Sequence, residues 1–130
     1  MLVDKEYYIS YNIIKIAIKE ENMVFNTGST LLDAIVLSVV SKEQEGTYGY
    51  KITQDVRTVI DVSESTLYPV LRRLQKEECF ETYDKAIDGR NRRYYKITDK
   101  GNAQLNLYKI EWKNYSTKIT NILLGGKRND

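Results

Sequence analysis

The sequence contains no histidine. That absence removes the usual general base, the usual nitrogen ligand for a metal and every triad built on an imidazole. There is one cysteine, Cys79, so neither an internal disulfide nor a cysteine-rich zinc site can form. Nothing beside Cys79 favours a thiolate, and it reads as a small buried hydrophobe. No run reaches the roughly 18 apolar residues of a membrane span. Residues 1–22 lack a basic start followed by an unbroken apolar stretch, so they do not read as a signal peptide. No glycine-rich loop is present to cradle a phosphate. These absences argue against an enzyme and against a metal or other cofactor, and a reducing cytoplasm fits them.

Charge is also sparse as a global signal. The formal net charge is only +2 over 130 residues. What matters is where charge sits. Between Asp84 and Lys100 six basic residues (Lys85, Arg90, Arg92, Arg93, Lys96, Lys100) face three acidic ones (Asp84, Asp88, Asp99), which makes a local basic patch. With 42% hydrophobic and 29% charged residues the chain can bury a core, and its length suits one domain with an arm or tail.

Tyr7, Tyr8, Ile9, Tyr11, Ile13, Ile14, Ile16 and Ile18 make residues 1–22 apolar and β-branched, a pattern open to helix or strand. Two readings fit: an arm that packs on the body or on a second subunit, or an upstream extension without a role. Exposed apolar area favours the arm. Turn and cap chemistry from Asn26 to Thr30 precedes a helix expected over Leu31–Ser41, apolar nearly all round and hence central. A second helix is expected over Tyr48–Val59, with Thr47 as N-cap and Tyr48, Ile52, Val56 and Val59 as its buried stripe. In a third helix, running to about Glu77, Leu67, Val70, Leu71 and Leu74 share one face. Pro69, the only proline, is tolerated best in a first turn, which points to Ser65 or Thr66 as N-cap.

A strand over Cys79–Tyr83, a turn at Asp88–Asn91 and a returning strand over Arg93–Thr98 make a hairpin. Thr98 is the expected N-cap of a last helix of about 24 residues. In it Leu105, Tyr108, Trp112, Tyr115, Ile119 and Ile122 repeat as a heptad seam, which suits the same helix of a second subunit. The order helix, helix, helix, hairpin, helix is that of a winged helix-turn-helix carrying a pairing helix. The expected fold class is therefore mainly α with a small β-hairpin. Residues 1–26 form an extension or arm, 27–100 the winged helix-turn-helix, 101–124 the dimerisation helix and 125–130 a tail.

The third helix carries the candidate chemistry. Ser63, Ser65, Thr66, Tyr68, Arg72 and Lys76 offer hydroxyls, a phenol and cations, which suit phosphate oxygens and base edges. The plainer reading is an N-cap and a solvated face. Arg73 stands apart, because it can turn toward the body. Arg90, Arg92 and Arg93 lie at or near the wing tip, where arginine enters a minor groove or pairs with phosphate. The plainer reading there is a hairpin kept soluble by charge. Tyr48, Tyr50, Tyr94 and Tyr95 read as core aromatics.

Taken together, Tyr48-Gly49-Tyr50-x-Ile52, Ser65-Thr66-Leu67-Tyr68-Pro69-x-Leu71-x-Arg73-Leu74, Gly89-Arg90, Arg92-Arg93-Tyr94-Tyr95-x-Ile97-Thr98-x-x-Gly101 and Trp112 resemble the PadR family of bacterial transcriptional regulators. The resemblance runs from about Leu31 to Leu124, roughly 70% of the chain, and its single terminal helix is similar to the short subfamily. It implies a homodimer paired through terminal helices and repression from an inverted-repeat operator on double-stranded DNA. It also implies, for some short members, a planar aromatic small molecule held between subunits. Trp112 and Tyr108 are the candidate ligand residues, and packing of the seam is the competing role for Trp112. Two positions depart from the family pattern. Lys51 stands where an acidic residue is usual. Glu78 stands where glycine is usual, and a left-handed backbone there would strain it.

Overall fold

The computed structural model describes residues 28–125. The arm or extension, Asn26 and Thr27 of the expected cap, and the tail from 126 onward lie outside the described residues. Helix α1 spans Ser29–Ser41, two residues longer at its start than expected, with Gly28 as N-cap. Val36, Leu37 and Val40 are wholly enclosed, as a nearly all-apolar helix should be. One buried position on it is polar, the carboxylate of Asp33.

Thr47 is not an N-cap. Thr47 and Tyr48 form a two-residue strand, β1, that pairs antiparallel with Tyr95 and Tyr94. Tyr48 then holds the cap position of α2, Gly49–Arg57, with extended backbone and no side-chain cap. Ile52, Thr53 and Val56 are buried on α2, but Val59 lies past its end and is 70% exposed. Tyr50 is also outside the core, 51% exposed. The physical reason is phase: in a helix starting at Gly49, Tyr50 points about 200° away from Ile52.

Helix α3 covers Glu64–Lys76 and buries Leu67, Leu71 and Leu74, with Val70 half-buried beside them. Its N-cap is Ser63, whose Oγ accepts from the Thr66 N–H at 3.3 Å, rather than Ser65 or Thr66. Pro69 therefore stands inside the helix, in its second turn. It withholds the N–H that the Ser65 carbonyl would otherwise receive. Ser65 is exposed, so that carbonyl stays open to water. At the other end the Cys79 N–H donates to the Leu74 carbonyl at 2.8 Å and the Glu78 N–H to the Gln75 carbonyl at 2.9 Å. This is a Schellman motif, and its left-handed residue is Glu78, with φ +66°.

Strands β2, Phe80–Ile87, and β3, Arg90–Ile97, are longer than expected and join through Asp88 and Gly89, with φ +51° and +75°. Positive φ at both turn residues is the signature of a two-residue type I′ hairpin. The wing is a three-stranded sheet in the order β1-β3-β2. Its inner face places Phe80 and Tyr95 in the core, ring centres 6.1 Å apart.

Helix α4 runs over Asp99–Leu123. Thr98 is its N-cap, accepting from the Gly101 N–H at 3.0 Å, while its own hydroxyl donates to the Glu78 carbonyl at 2.6 Å. The start of α4 is thus tied to the end of α3. Gly101 permits the approach, because a Cβ there would lie 2.2 Å from the Cys79 carbonyl oxygen. Gly101, Ala103, Leu105 and Leu107 are buried, Tyr108 packs against the core, and most of the helix after it is exposed. At 1.5 Å per residue α4 is about 37 Å long. Among the described residues no helix is long and apolar enough to cross a membrane.

Candidate nucleic-acid interface

Opposite the three buried leucines of α3, Ser65, Pro69, Arg72 and Lys76 follow one another at spacings of 4, 3 and 4, and all four are exposed. This stripe is the outer face of the helix. The hydroxyls at its start form a cluster, with Ser63 Oγ 2.9 Å from Ser65 Oγ and 3.2 Å from Thr66 Oγ1. Each hydroxyl can donate once and accept twice, so capping does not exhaust them. Tyr68 sits differently from the other candidates. It is half-buried, and a Cβ on Gly49 would stand 2.7 Å from its ring. The glycine of the Tyr-Gly-Tyr motif is what lets Tyr68 pack on the start of α2.

Arg73 turns toward the body. Its Nη2 donates to the Asp33 carboxylate at 2.5 Å and its Nη1 to Glu77 at 3.3 Å. Burial pushes the Asp33 carboxyl above its ordinary range, even though the Arg73 hydrogen bond and charge pull the other way. The pair clamps α3 to α1 and leaves Arg72 and Lys76 as the outward cations of α3.

The wing divides its arginines. Side chains alternate along β3, so Arg90, Arg92 and Tyr94 lie on the outer face, while Asn91, Arg93 and Tyr95 lie on the other. Arg93 Nε is 3.9 Å from Asp84, its cross-strand neighbour. Arg90 is exposed beside the turn. The Arg92 guanidinium lies over the Tyr48 ring, 4.6 Å from its centre. Tyr48 and Tyr94 rings are 5.5 Å apart, and Tyr83 stacks on Tyr94 at 5.4 Å. Lys85 Nζ reaches to 5.7 Å from the Tyr94 ring centre. Tyr94 is buried, as expected, but between the Tyr48 and Tyr83 rings, and this ladder on the outer face was not legible in the sequence. Its signal would have been the alternation Arg92-x-Tyr94 opposite Tyr83-x-Lys85 once the Asp88-Gly89 turn had set the register.

A cavity of about 600 Å³ lies between α1, the end of α2 and α4. Leu31, Ile35, Val39, Val59, Tyr108 and Trp112 supply its apolar walls, and Lys42, Glu43, Asp55 and Lys109 its polar ones. Lys51 bridges Asp55 at 2.9 Å and Glu43 at 3.3 Å, and these hydrogen bonds raise its pKa. Burial pushes the Tyr108 phenol up to about 12, so it is a neutral wall of the cavity at ordinary pH. Of the seam residues, Leu105 belongs to the body's own core and Tyr108 packs against that core. Trp112, Ile119 and Ile122 are 43%, 37% and 77% exposed, and the rings of Trp112 and Tyr115 are 6.1 Å apart. Cys79 is buried, and burial raises its thiol pKa. Among the described residues no three acidic or cysteine side chains gather as metal ligands.

The family model described as "Transcriptional regulator PadR-like family" matches residues 36–107. Two solved structures are similar in sequence and shape. Smu.1704 from Streptococcus mutans is 36% identical at a TM-score of 0.71, covering 83% of this chain and 100% of that one. A PadR-like transcriptional regulator from Bacillus cereus is 38% identical at a TM-score of 0.68, covering 78% and 98%. The fold alone is also shared with Bacillus subtilis PadR, solved in complex with operator DNA. It is 22% identical at a TM-score of 0.56, and the match covers 62% of this chain and 47% of that longer one.

Proposed function

Because the chain belongs to the PadR-like family of transcriptional regulators, we propose that it is a dimeric repressor acting on an inverted-repeat operator. The observation that carries this reading is the face of α3 opposite Leu67, Leu71 and Leu74, where every position of the Ser65, Pro69, Arg72 and Lys76 stripe is exposed. Arg72 and Lys76 reach guanine edges or phosphates there, and Ser63, Ser65 and Thr66 add hydroxyl contacts near the helix start. Tyr68 contributes through its packing on Gly49 and presents what remains of its ring. Arg90 and Arg92 supply the wing's contacts, and Arg93 approaches from the other face. The operator complex of the Bacillus subtilis relative, which shares this fold, supports DNA as the partner.

Residues 27–100 form the DNA-binding unit in this reading, and 101–124 pair two subunits through Trp112, Tyr115, Ile119 and Ile122. The half-sites lie one helical turn apart or a multiple of it, about 34–36 Å per turn. Selection of bound duplexes from a random pool, repeated at two salt concentrations, tests this. A repeated, symmetric half-site with salt-sensitive binding is the expected result. Recovery of no consensus, with protein binding that ignores salt, would instead favour a winged helix used for protein–protein interaction.

The cavity beside Trp112 and Tyr108 is the proposed place for a planar aromatic ligand that releases DNA. Such a compound should quench the emission of the lone tryptophan as it releases the operator. Release without any change in emission would place the ligand elsewhere.

A further inference from the structure

Among the described residues Arg92 differs from the other outward cations. It is half-buried, its guanidinium lies 4.6 Å from the centre of the Tyr48 ring, and its Nε is buried with no hydrogen-bond partner among the described residues. An aromatic face attracts the flat guanidinium without using its in-plane N–H groups, and with Nε buried it is the terminal Nη groups that are left for other acceptors. Tyr48 is itself held from several sides. Its backbone pairs with Tyr94 in the sheet, and its ring meets the Tyr94 ring at 5.5 Å. Tyr94 stacks on Tyr83 with only 19° between the ring planes, and the Tyr83 hydroxyl donates to the Glu45 carbonyl. Three rings thus run across β2, β3 and β1 and end under one guanidinium. Arg90, by contrast, stands at the turn with no ring beneath it among the described contacts.

We propose that Tyr48 is a positioning residue for DNA binding, which holds the Arg92 guanidinium ready for a backbone phosphate at the junction of the wing and the start of α2. The assignment is to phosphate and not to a base. Arg92 is two residues back from the wing tip, and a fixed planar fork matches two oxygens of one phosphate. The inference rests on the reading that Arg92 contacts DNA. Without the ring, Arg92 keeps its charge but must order its side chain on binding. That cost is of the size of one immobilised long side chain, about a three- to tenfold loss of affinity.

The test measures affinity for an operator duplex recovered by the selection above, over a series of salt concentrations, with a thermal melt of each variant. Tyr48→Phe keeps the aromatic face and should bind like the parent. Tyr48→Leu should lose about three- to tenfold at an unchanged salt slope, because the cation is still there. Arg92→Ala should lose more and flatten the salt slope by about one unit. Adding Tyr48→Leu to Arg92→Ala should cost nothing further. Tyr48→Met carries the same expectation as Tyr48→Leu if the leucine variant does not fold. A folded Tyr48→Leu or Tyr48→Met that binds like the parent, while Arg92→Ala is impaired, overturns the positioning role. So does a full additional loss in the double variant. An Arg92→Ala variant with parental affinity and slope removes the Arg92 contact itself, and with it the premise.

Discussion

Helix α3 buries Leu67, Leu71 and Leu74 and turns Ser65, Arg72 and Lys76 outward. Helix α4 buries Leu105 and Leu107 in its first half and turns Trp112, Ile119, Ile122 and Leu123 outward in its second. Both helices start on a hydroxyl cap, Ser63 in one and Thr98 in the other. Helix α3 buries one side through ordinary aliphatic spacing, while Leu105 and Leu107 of α4, two residues apart, point about 200° from each other and are enclosed from more than one side. The two helices part company over what is left uncovered. Water satisfies the exposed side of α3, whose groups are polar or charged. It does not satisfy the far half of α4, where several large apolar side chains stand together at a cost per unit area. The buried stripe of a helix identifies its place in its own fold. In the proposed function the chemistry of the opposite side sets the class of second partner: an anion for α3, another apolar surface for α4.

The contrast can be broken most directly at the end of α4. Ile122→Asp should leave the subunit folded and abolish pairing. A buried isoleucine contributes about 1.5–3 kcal/mol, and a two-fold interface counts it twice, so about 3–6 kcal/mol of dimer stability is at stake. Sedimentation should show a monomer with an unchanged far-UV spectrum. An intact dimer would mean that Ile122 faces nothing. In the first half of the same helix, Leu105→Ala should do the reverse and cost the fold about 2–5 kcal/mol, read from denaturant unfolding. An unfolding midpoint near the parent's would show that the two halves do not differ as described. On α3, Arg72→Ala should weaken operator binding by about 1–3 kcal/mol while moving stability by less than about 0.5 kcal/mol. A matching loss of thermal stability would make Arg72 a packing residue. The smallest effect lies at the end of α3. Glu78→Gly should stabilise by about 1 kcal/mol, since glycine accepts φ +66° without the strain of a side chain. A lower urea midpoint at the same slope would contradict it.

Much of this contrast is legible in the residues. The 4 and 3 spacing of Leu67, Leu71 and Leu74 marks the buried side of α3 because helix geometry is local. Thr98 as a cap is equally local. The left-handed stop at 78 is signalled only by the resemblance, which puts glycine where Glu78 stands; the structure shows Cys79 and Leu74 closing the motif around it. The misses have a different origin. Thr47 and Tyr48 form a strand only because β3 passes beside them, and a two-residue segment carries no period of its own. Pro69 reads as a first-turn residue, yet it is tolerated one turn later because the carbonyl it leaves bare belongs to an exposed Ser65. The wing looked short because Asp84, Lys85 and Ala86 are poor strand formers. The type I′ turn at Asp88 and Gly89 overrides that preference by placing Ile87 opposite Arg90. The division of Arg92 from Arg93 follows from the same register and could not be seen until the turn was placed.

That two-residue turn has one further consequence. Ile87 pairs with Arg90, and every pair behind them down to Phe80 and Ile97 is in step. A single residue added to β3 between Arg92 and Tyr94 would carry Arg90 and Arg92 through to the side now held by Arg93, because side chains change faces with each step. The wing can therefore grow or shrink only by two residues in each strand at once, about 7 Å at a time. Its reach comes in fixed increments, and a natural variant that needs a longer wing must take a whole step or lose its arginines from the outer face.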